Sequence, residues 1–230
     1  MSERRTAIVT GASQGLGLAL ARELARRDWR LVIDARTTTD LEQAALALAA
    51  LTDVRAIRGD VTDRAHRQAL IAAAGERIDL LVNNASWLGP SPQPALKDYP
   101  ADELERVFRV NVLAPLALIQ LALPRMVGGC VINLSSDAAV EPYPGWGGYG
   151  ASKAALDQLT AVLGAEQAEL RAYAVDPGDM RTRMHQEAFP GEDISDRPPP
   201  EESVPGLLAL IDGSLPSGRY QARELLGVAR

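Results

Sequence analysis

Thr10-Gly11-Ala12-Ser13-Gln14-Gly15-Leu16-Gly17 decides how this chain is read: three glycines in the spacing GxxxGxG lie between a short β-branched run and a helical pattern. Gly11 permits a sharp turn, Gly15 lets backbone approach a ligand, and Gly17 lets the helix pack closely. A helix that starts here presents free N–H groups and positive potential, which suit a phosphate or pyrophosphate. A glycine-rich turn without any ligand is the competing reading, and the order strand, loop, helix counts against it.

Outward from that loop, Arg30–Ala35, Val54–Arg58, Asp79–Asn83, Cys130–Ser135 and Arg171–Val175 join Thr6–Thr10 as predicted strands. Helical spacing fills 16–28, 39–51, 63–74, 101–124 and 149–168, and a last helix near Ser203–Ile211 and an edge strand near Gly218–Ala222 complete the pattern. Ala7-Ile8-Val9 and Leu80-Leu81-Val82 are apolar on both faces, as strands are when helices cover both sides of a parallel sheet. The expectation is an α/β, doubly wound, mainly parallel seven-stranded sheet forming one domain over 1–230. The Pro-rich segment 179–205 is expected to be a mobile substrate loop.

Composition bounds the function. With 24 basic against 30 acidic residues the net charge is −6, which opposes non-specific attraction to nucleic acid or an anionic membrane. One cysteine, Cys130, precludes an intrachain disulfide and fits a reducing, cytoplasmic compartment. The start Met1-Ser2-Glu3-Arg4-Arg5 lacks the apolar run of a signal peptide. Apolar stretches such as Ala44–Leu51 fall short of the roughly 18 residues a membrane span needs. No metal site is expected, because His66 and His185 are far apart and lack companion ligands. His185 reads as a solvated loop histidine, with a place at the substrate mouth as the alternative, and Cys130 as a small core residue.

Three more motifs follow the glycine loop: Asn83-Asn84-Ala85, Ser136 thirteen residues before Tyr149-x-x-x-Lys153, and Pro177-Gly178 with Thr182. In this order and spacing, from Thr10 to Thr182, the chain resembles the short-chain dehydrogenase/reductase family in its compact single-domain branch. The resemblance implies a Rossmann-type fold and a nicotinamide cofactor held by Gly11, Ser13, Gln14, Gly15, Leu16 and Gly17. It also assigns Asp60 and Val61 to the adenine, and Asn83 and Ala85 to the central sheet and the adenosine ribose. Pro177, Gly178 and Thr182 are then placed at the nicotinamide carboxamide. Ser86 stands where the family usually has glycine, and Asp176 where it usually has asparagine. At the end of the second strand, the position of the acid that binds the NAD ribose is Ala35, and Arg36 follows. A guanidinium there pairs with a 2′-phosphate, so NADP(H) is preferred, with NAD(H) as the second option if Asp34 reaches the ribose instead.

Tyr149 and Lys153, four apart on a helix, project from one face. Free tyrosine, with a pKa of about 10, is a poor base, but a neighbouring ammonium and an oxidised nicotinamide favour phenolate. By resemblance Tyr149 exchanges the proton with the substrate oxygen, Ser136 orients that oxygen, and Lys153 tunes Tyr149 and holds the ribose hydroxyls. Pro115 cannot donate to the Asn111 carbonyl, which the resemblance casts as the holder of a relay water for Lys153; a plain proline kink is the competing reading. Trp87, Tyr143, Trp146, Met184 and Phe189 would shape an apolar substrate pocket or simply pack a core.

The resulting expectation is NADPH-dependent reduction of a small ketone or aldehyde, reversible as an alcohol dehydrogenase, in a homodimer or homotetramer paired through helices 101–124 and 149–168. A catalytically silent nicotinamide-binding sensor or scaffold is disfavoured by the intact Ser136, Tyr149 and Lys153. A dehydratase or epimerase of the extended branch would carry GxxGxxG and a longer substrate domain.

Overall fold

The computed structural model describes residues 4–227, so Met1-Ser2-Glu3 lies outside the described residues. Seven parallel strands form one sheet: β1 (Thr6–Val9), β2 (Arg30–Ala35), β3 (Val54–Arg58), β4 (Leu80–Asn83), β5 (Cys130–Leu134), β6 (Arg171–Asp176) and β7 (Gly218–Gln221). Their order is β3-β2-β1-β4-β5-β6-β7. The chain winds outward from β1 in one direction and from β4 in the other, so the crevice for a ligand opens at the carboxyl ends of these two neighbours.

Alternation within each strand feeds two cores. Ala7, Val9, Leu80, Val82, Ile132 and Leu134 face one side, where they meet α1 (Gly15–Arg26), α2 (Thr38–Ala49) and α8 (Val204–Asp212). Ile8, Leu81 and Val131 face the other, against α3 (Arg64–Ala74) and α5 (Ala114–Ala122). Burial on both faces explains why these strands read as continuous apolar runs. The remaining helices are α4 (Ala101–Phe108), α6 (Gly147–Glu166) and α7 (Arg183–Ala188). Segment 179–205 thus carries α7 and, at Pro200–Ser203, a 3-10 turn.

The helix expected over 101–124 is not uniform. Between α4 and α5 lies a π-helical turn, Arg109–Leu113, in which the Ala114 N–H donates to the Arg109 carbonyl. Pro115 lacks an N–H for the regular ladder, and the widened turn accommodates the defect. The expectation that no stretch reaches membrane-span length is also corrected: Ala101–Arg125 is 25 helical residues with a window of mean hydropathy 1.6, long and apolar enough by length and composition. Its charged residues cluster at its two ends, leaving Val110–Pro124 uncharged. Half of that apolar window is buried inside the fold.

Candidate active site

The glycine loop behaves as its spacing implies. Gly15 has φ +56°, and a Cβ at Gly17 would lie 2.7 Å from the Gly11 carbonyl oxygen, so α1 approaches the loop only because no side chain intervenes. Gln14 caps α1 without a side-chain hydrogen bond, and the first turn has no acidic residue. Its N–H groups therefore remain free for an anion. Asn84 closes the crevice by donating its amide N–H to the carbonyls of Thr10 (2.8 Å) and Gly11 (3.1 Å).

A groove of about 520 Å³ runs along these carboxyl ends. Gly11, Ser13, Gln14, Gly15 and Leu16 line its floor, with Arg36, Asp60 and Val61 at one end. Ala85, Trp87, Tyr149, Lys153, Pro177, Thr182 and Met184 line the other. Gly17, Asn83, Asn111, Ser136, Tyr143, Trp146 and Gly178 are not on its surface. Asn83 is a sheet residue: 4% exposed, it donates its amide N–H to Asn133 Oδ1 at 2.8 Å, and Asn84 takes the groove position instead.

At the end of β2 two neighbours have opposite fates. Asp34 is 2% exposed; one carboxylate oxygen accepts the Gly11 N–H (2.7 Å) and the other faces His66 Nε2 (2.8 Å). Asp34 is thereby fixed beneath the loop, and the alternative in which it bends out to a ribose is not what the structure holds. His66, discounted on sequence, is its buried partner, seated against Gly59, where a Cβ would come within 2.6 Å of the His66 ring carbon. Arg36 is exposed, and its guanidinium makes no hydrogen bond or close ion pair among the described residues. Partial burial pulls the Asp60 pKa up, but the Thr62 N–H and hydroxyl, with a smaller contribution from the Arg36 charge, hold it below the usual carboxylate range. This combination of free helix N–H groups and a free arginine fits the phosphates of a dinucleotide.

Tyr149 and Lys153 are buried, 7% and 2% exposed, on the first two turns of α6. Lys153 Nζ donates to the Leu134 carbonyl at 2.7 Å and lies 5.4 Å from the Tyr149 ring centroid. Burial lowers the Lys153 pKa to about 8, against the pull of Asp157 one turn further on. Burial raises Tyr149 above the ordinary phenol value; a hydrogen bond with Ser86 opposes that, and Asp176 and Asp137 add to it. Burial is thus the leading influence on this phenol. Ser86, the departure from glycine, also donates to Asn111 Oδ1 at 3.1 Å. Asn111 is 1% exposed and donates its amide to the Trp87 carbonyl (2.9 Å) and to Ser152 Oγ (3.0 Å).

Ser136 lies two residues beyond β5, capping the 3-10 turn Asp137–Ala139, in which Ala138 packs with Tyr149 and Leu88. Its hydroxyl donates to Asp137 Oδ1 at 2.9 Å, and Tyr143 donates to Asp137 Oδ2 at 3.0 Å. Behind Ser136, Arg219 of β7 donates to the Ser136 carbonyl (3.0 Å) and to Asp157 (3.0 Å), with Asp176 at 3.6 Å. Asp176 accepts the Gly178 N–H at 2.9 Å, so the Pro177-Gly178 turn forms with aspartate in the asparagine position. Trp146 meets Tyr149 edge-on at 5.8 Å and Phe189 at 5.8 Å, and Phe189 stacks on His185 at 4.9 Å. His185 lies on α7 with its side chain 11% exposed, which corrects the solvated-loop reading. Trp87 carries the Arg106 guanidinium 4.1 Å above its ring. Asp137, Ser86, Asp157 and Arg219 were not singled out as site residues on sequence; the aspartate immediately after Ser136 was the available signal.

A glycine-loop crevice at a topological switch, with a buried Tyr-Lys pair opening onto it, defines a dinucleotide-binding protein of the Rossmann type. The short chain dehydrogenase family model matches residues 5–193, and the chain belongs to this family of oxidoreductases. It is 38% identical to 2-(R)-hydroxypropyl-CoM dehydrogenase of Xanthobacter autotrophicus, covering 79% of this chain and 77% of that one. It is 31% identical to a benzil reductase ((S)-benzoin forming) of Saccharomyces cerevisiae, over 96% and 90% of the two chains. Among solved structures, a short chain dehydrogenase from Escherichia coli complexed with NADPH superposes with TM-score 0.85 at 28% identity, covering 95% of this chain and 96% of that one.

Proposed function

We propose that the protein is an NADPH-dependent carbonyl reductase in which Tyr149 delivers the proton to the substrate oxygen. The observation that carries this reading is the placement of Tyr149 and Lys153, buried on α6 and lining the same groove as the glycine loop. A nicotinamide cofactor, when bound, supplies the hydride. Ser136, whose hydroxyl donates to Asp137 here, would turn that hydroxyl toward the substrate oxygen and stabilise charge developing on it. Lys153, whose Nζ donates to the Leu134 carbonyl at the groove wall, would hold the ribose hydroxyls. Asn111 secures the Trp87 backbone and Ser152, and with them the wall beside Tyr149.

Preference for the phosphorylated cofactor is supported by Arg36, free at the groove end, and by Asp34, whose two oxygens are already engaged. Exposed Leu113 and Val162 lie on the helical segments expected to pair, in keeping with a homo-oligomer. NADPH consumption over a panel of neutral ketones and aldehydes tests the reading. Turnover that Tyr149→Phe abolishes is the expected result; no turnover of any carbonyl compound in the presence of bound NADPH returns the protein to the sensor class.

A further inference from the structure

Asp137 is exposed, yet three groups converge on its carboxylate. Oδ1 accepts the Ser136 hydroxyl (2.9 Å) and the Ala138 N–H (2.8 Å), and Oδ2 accepts the Tyr143 hydroxyl (3.0 Å). These are neutral donors, and no cation lies within ion-pair distance of Asp137 among the described residues. The cations nearby are committed elsewhere: Arg219 to Asp157, Asp176 and the Ser136 carbonyl, and Lys153 to the Leu134 carbonyl. Among the described residues no cation is therefore paired with this carboxylate, which lies beside the hydroxyl that would hold the substrate oxygen. A carboxylate has about four lone-pair positions, so three neutral donors leave room for another, on the Oδ2 side. The charge is felt across the site, since Asp137 contributes to the upward shifts of Tyr149, Asp176 and Tyr143.

We propose that Asp137 sets the charge class of the substrate, favouring carbonyl compounds with a hydrogen-bond donor or a cationic group on the carbon next to the carbonyl and rejecting those with an anionic group there. The inference rests on the carbonyl reductase reading, and the probes are chosen to separate the two. Three ketones share one ring and differ in charge: phenacyltrimethylammonium, 2-hydroxyacetophenone and benzoylformate. Dissociation constants for each on the enzyme–NADP⁺ complex, and kcat/KM for each with NADPH, are measured for wild type, Asp137→Asn and Asp137→Glu, with thermal unfolding to verify folding.

A unit charge hydrogen-bonded to the Ser136 hydroxyl in an exposed position is expected to discriminate about tenfold between cation and anion. The cation-to-anion ratio should fall about tenfold in Asp137→Asn, which removes the charge and leaves one acceptor oxygen where the carboxylate has two, and should keep its sign in Asp137→Glu. A ratio unchanged in Asp137→Asn, a wild-type preference for benzoylformate, or binding of none of the three overturns the proposal. Discrimination in binding without turnover supports the role of Asp137 and overturns the reductase reading. Turnover without discrimination does the reverse.

Discussion

Removing Arg219 should release two carboxylates at once, and Arg219→Gln measures what that cation does behind Ser136. Its guanidinium lies 3.0 Å from Asp157 and 3.6 Å from Asp176, whose side chains are 14% and 7% exposed. At an effective dielectric near 20, a pair 3.6 Å apart attracts with about 5 kcal/mol before desolvation is subtracted. Arg219 is itself 27% exposed, so solvent screening and the cost of burying charge reduce the net effect to about 2–3 kcal/mol. For a chain of this size that is a fall in Tm of about 5–10 °C. Asp176→Asn removes the buried charge but keeps an acceptor for the Gly178 N–H, so in that background Arg219→Gln should cost about 1 kcal/mol less. Urea unfolding of wild type, both single variants and the double variant reads the coupling directly. Strict additivity, within about 0.3 kcal/mol, would refute the claim that Arg219 compensates Asp176.

Three further outcomes follow from the same contacts. Burial raises the Asp176 pKa in the folded state, so between the unfolded value near 4 and that raised value the folded protein binds the extra proton, and stability from this group falls as pH rises; Asp176→Asn should gain on wild type as pH climbs from about 4, and a constant difference in urea midpoints across pH would contradict this. Gly59→Ala drives a methyl into His66 and leaves the buried Asp34 short of a partner, for a loss of about 1–3 kcal/mol, whereas a neutral effect on Tm would mean that the pair contributes nothing. Arg36→Ala should weaken NADPH binding about ten- to a hundredfold and leave NADH unchanged, measured by cofactor fluorescence titration; equal effects on both cofactors would remove Arg36 from phosphate recognition.

The parts of the molecule legible in the sequence are those governed by local rules. Gly11, Gly15 and Gly17 encode a loop and a helix start within eight residues, and Ala7-Ile8-Val9 encodes a strand buried on both faces. Pro115 signalled a broken ladder, and its consequence, the π-helical turn around Asn111, also needed the packing of Trp87 and Ser152 against the asparagine amide. What stayed hidden is long-range and aperiodic. Asp34 and His66 are 32 residues apart, and Asp157 and Arg219 are 62 apart, with no repeat that pairs them. The burial that raises the Tyr149 pKa is likewise not revealed by spacing on a helix.

The central claim is that hydride reaches a carbonyl carbon here while Tyr149 protonates the oxygen. Incubating the protein and its Tyr149→Phe variant with NADPH deuterated at C4 of the nicotinamide and a reducible ketone, then measuring the product by mass spectrometry, tests it most directly. The account predicts deuterium on the carbinol carbon with wild type, and none with Tyr149→Phe at unchanged NADPH affinity. Deuterated product at the wild-type rate from Tyr149→Phe would contradict it.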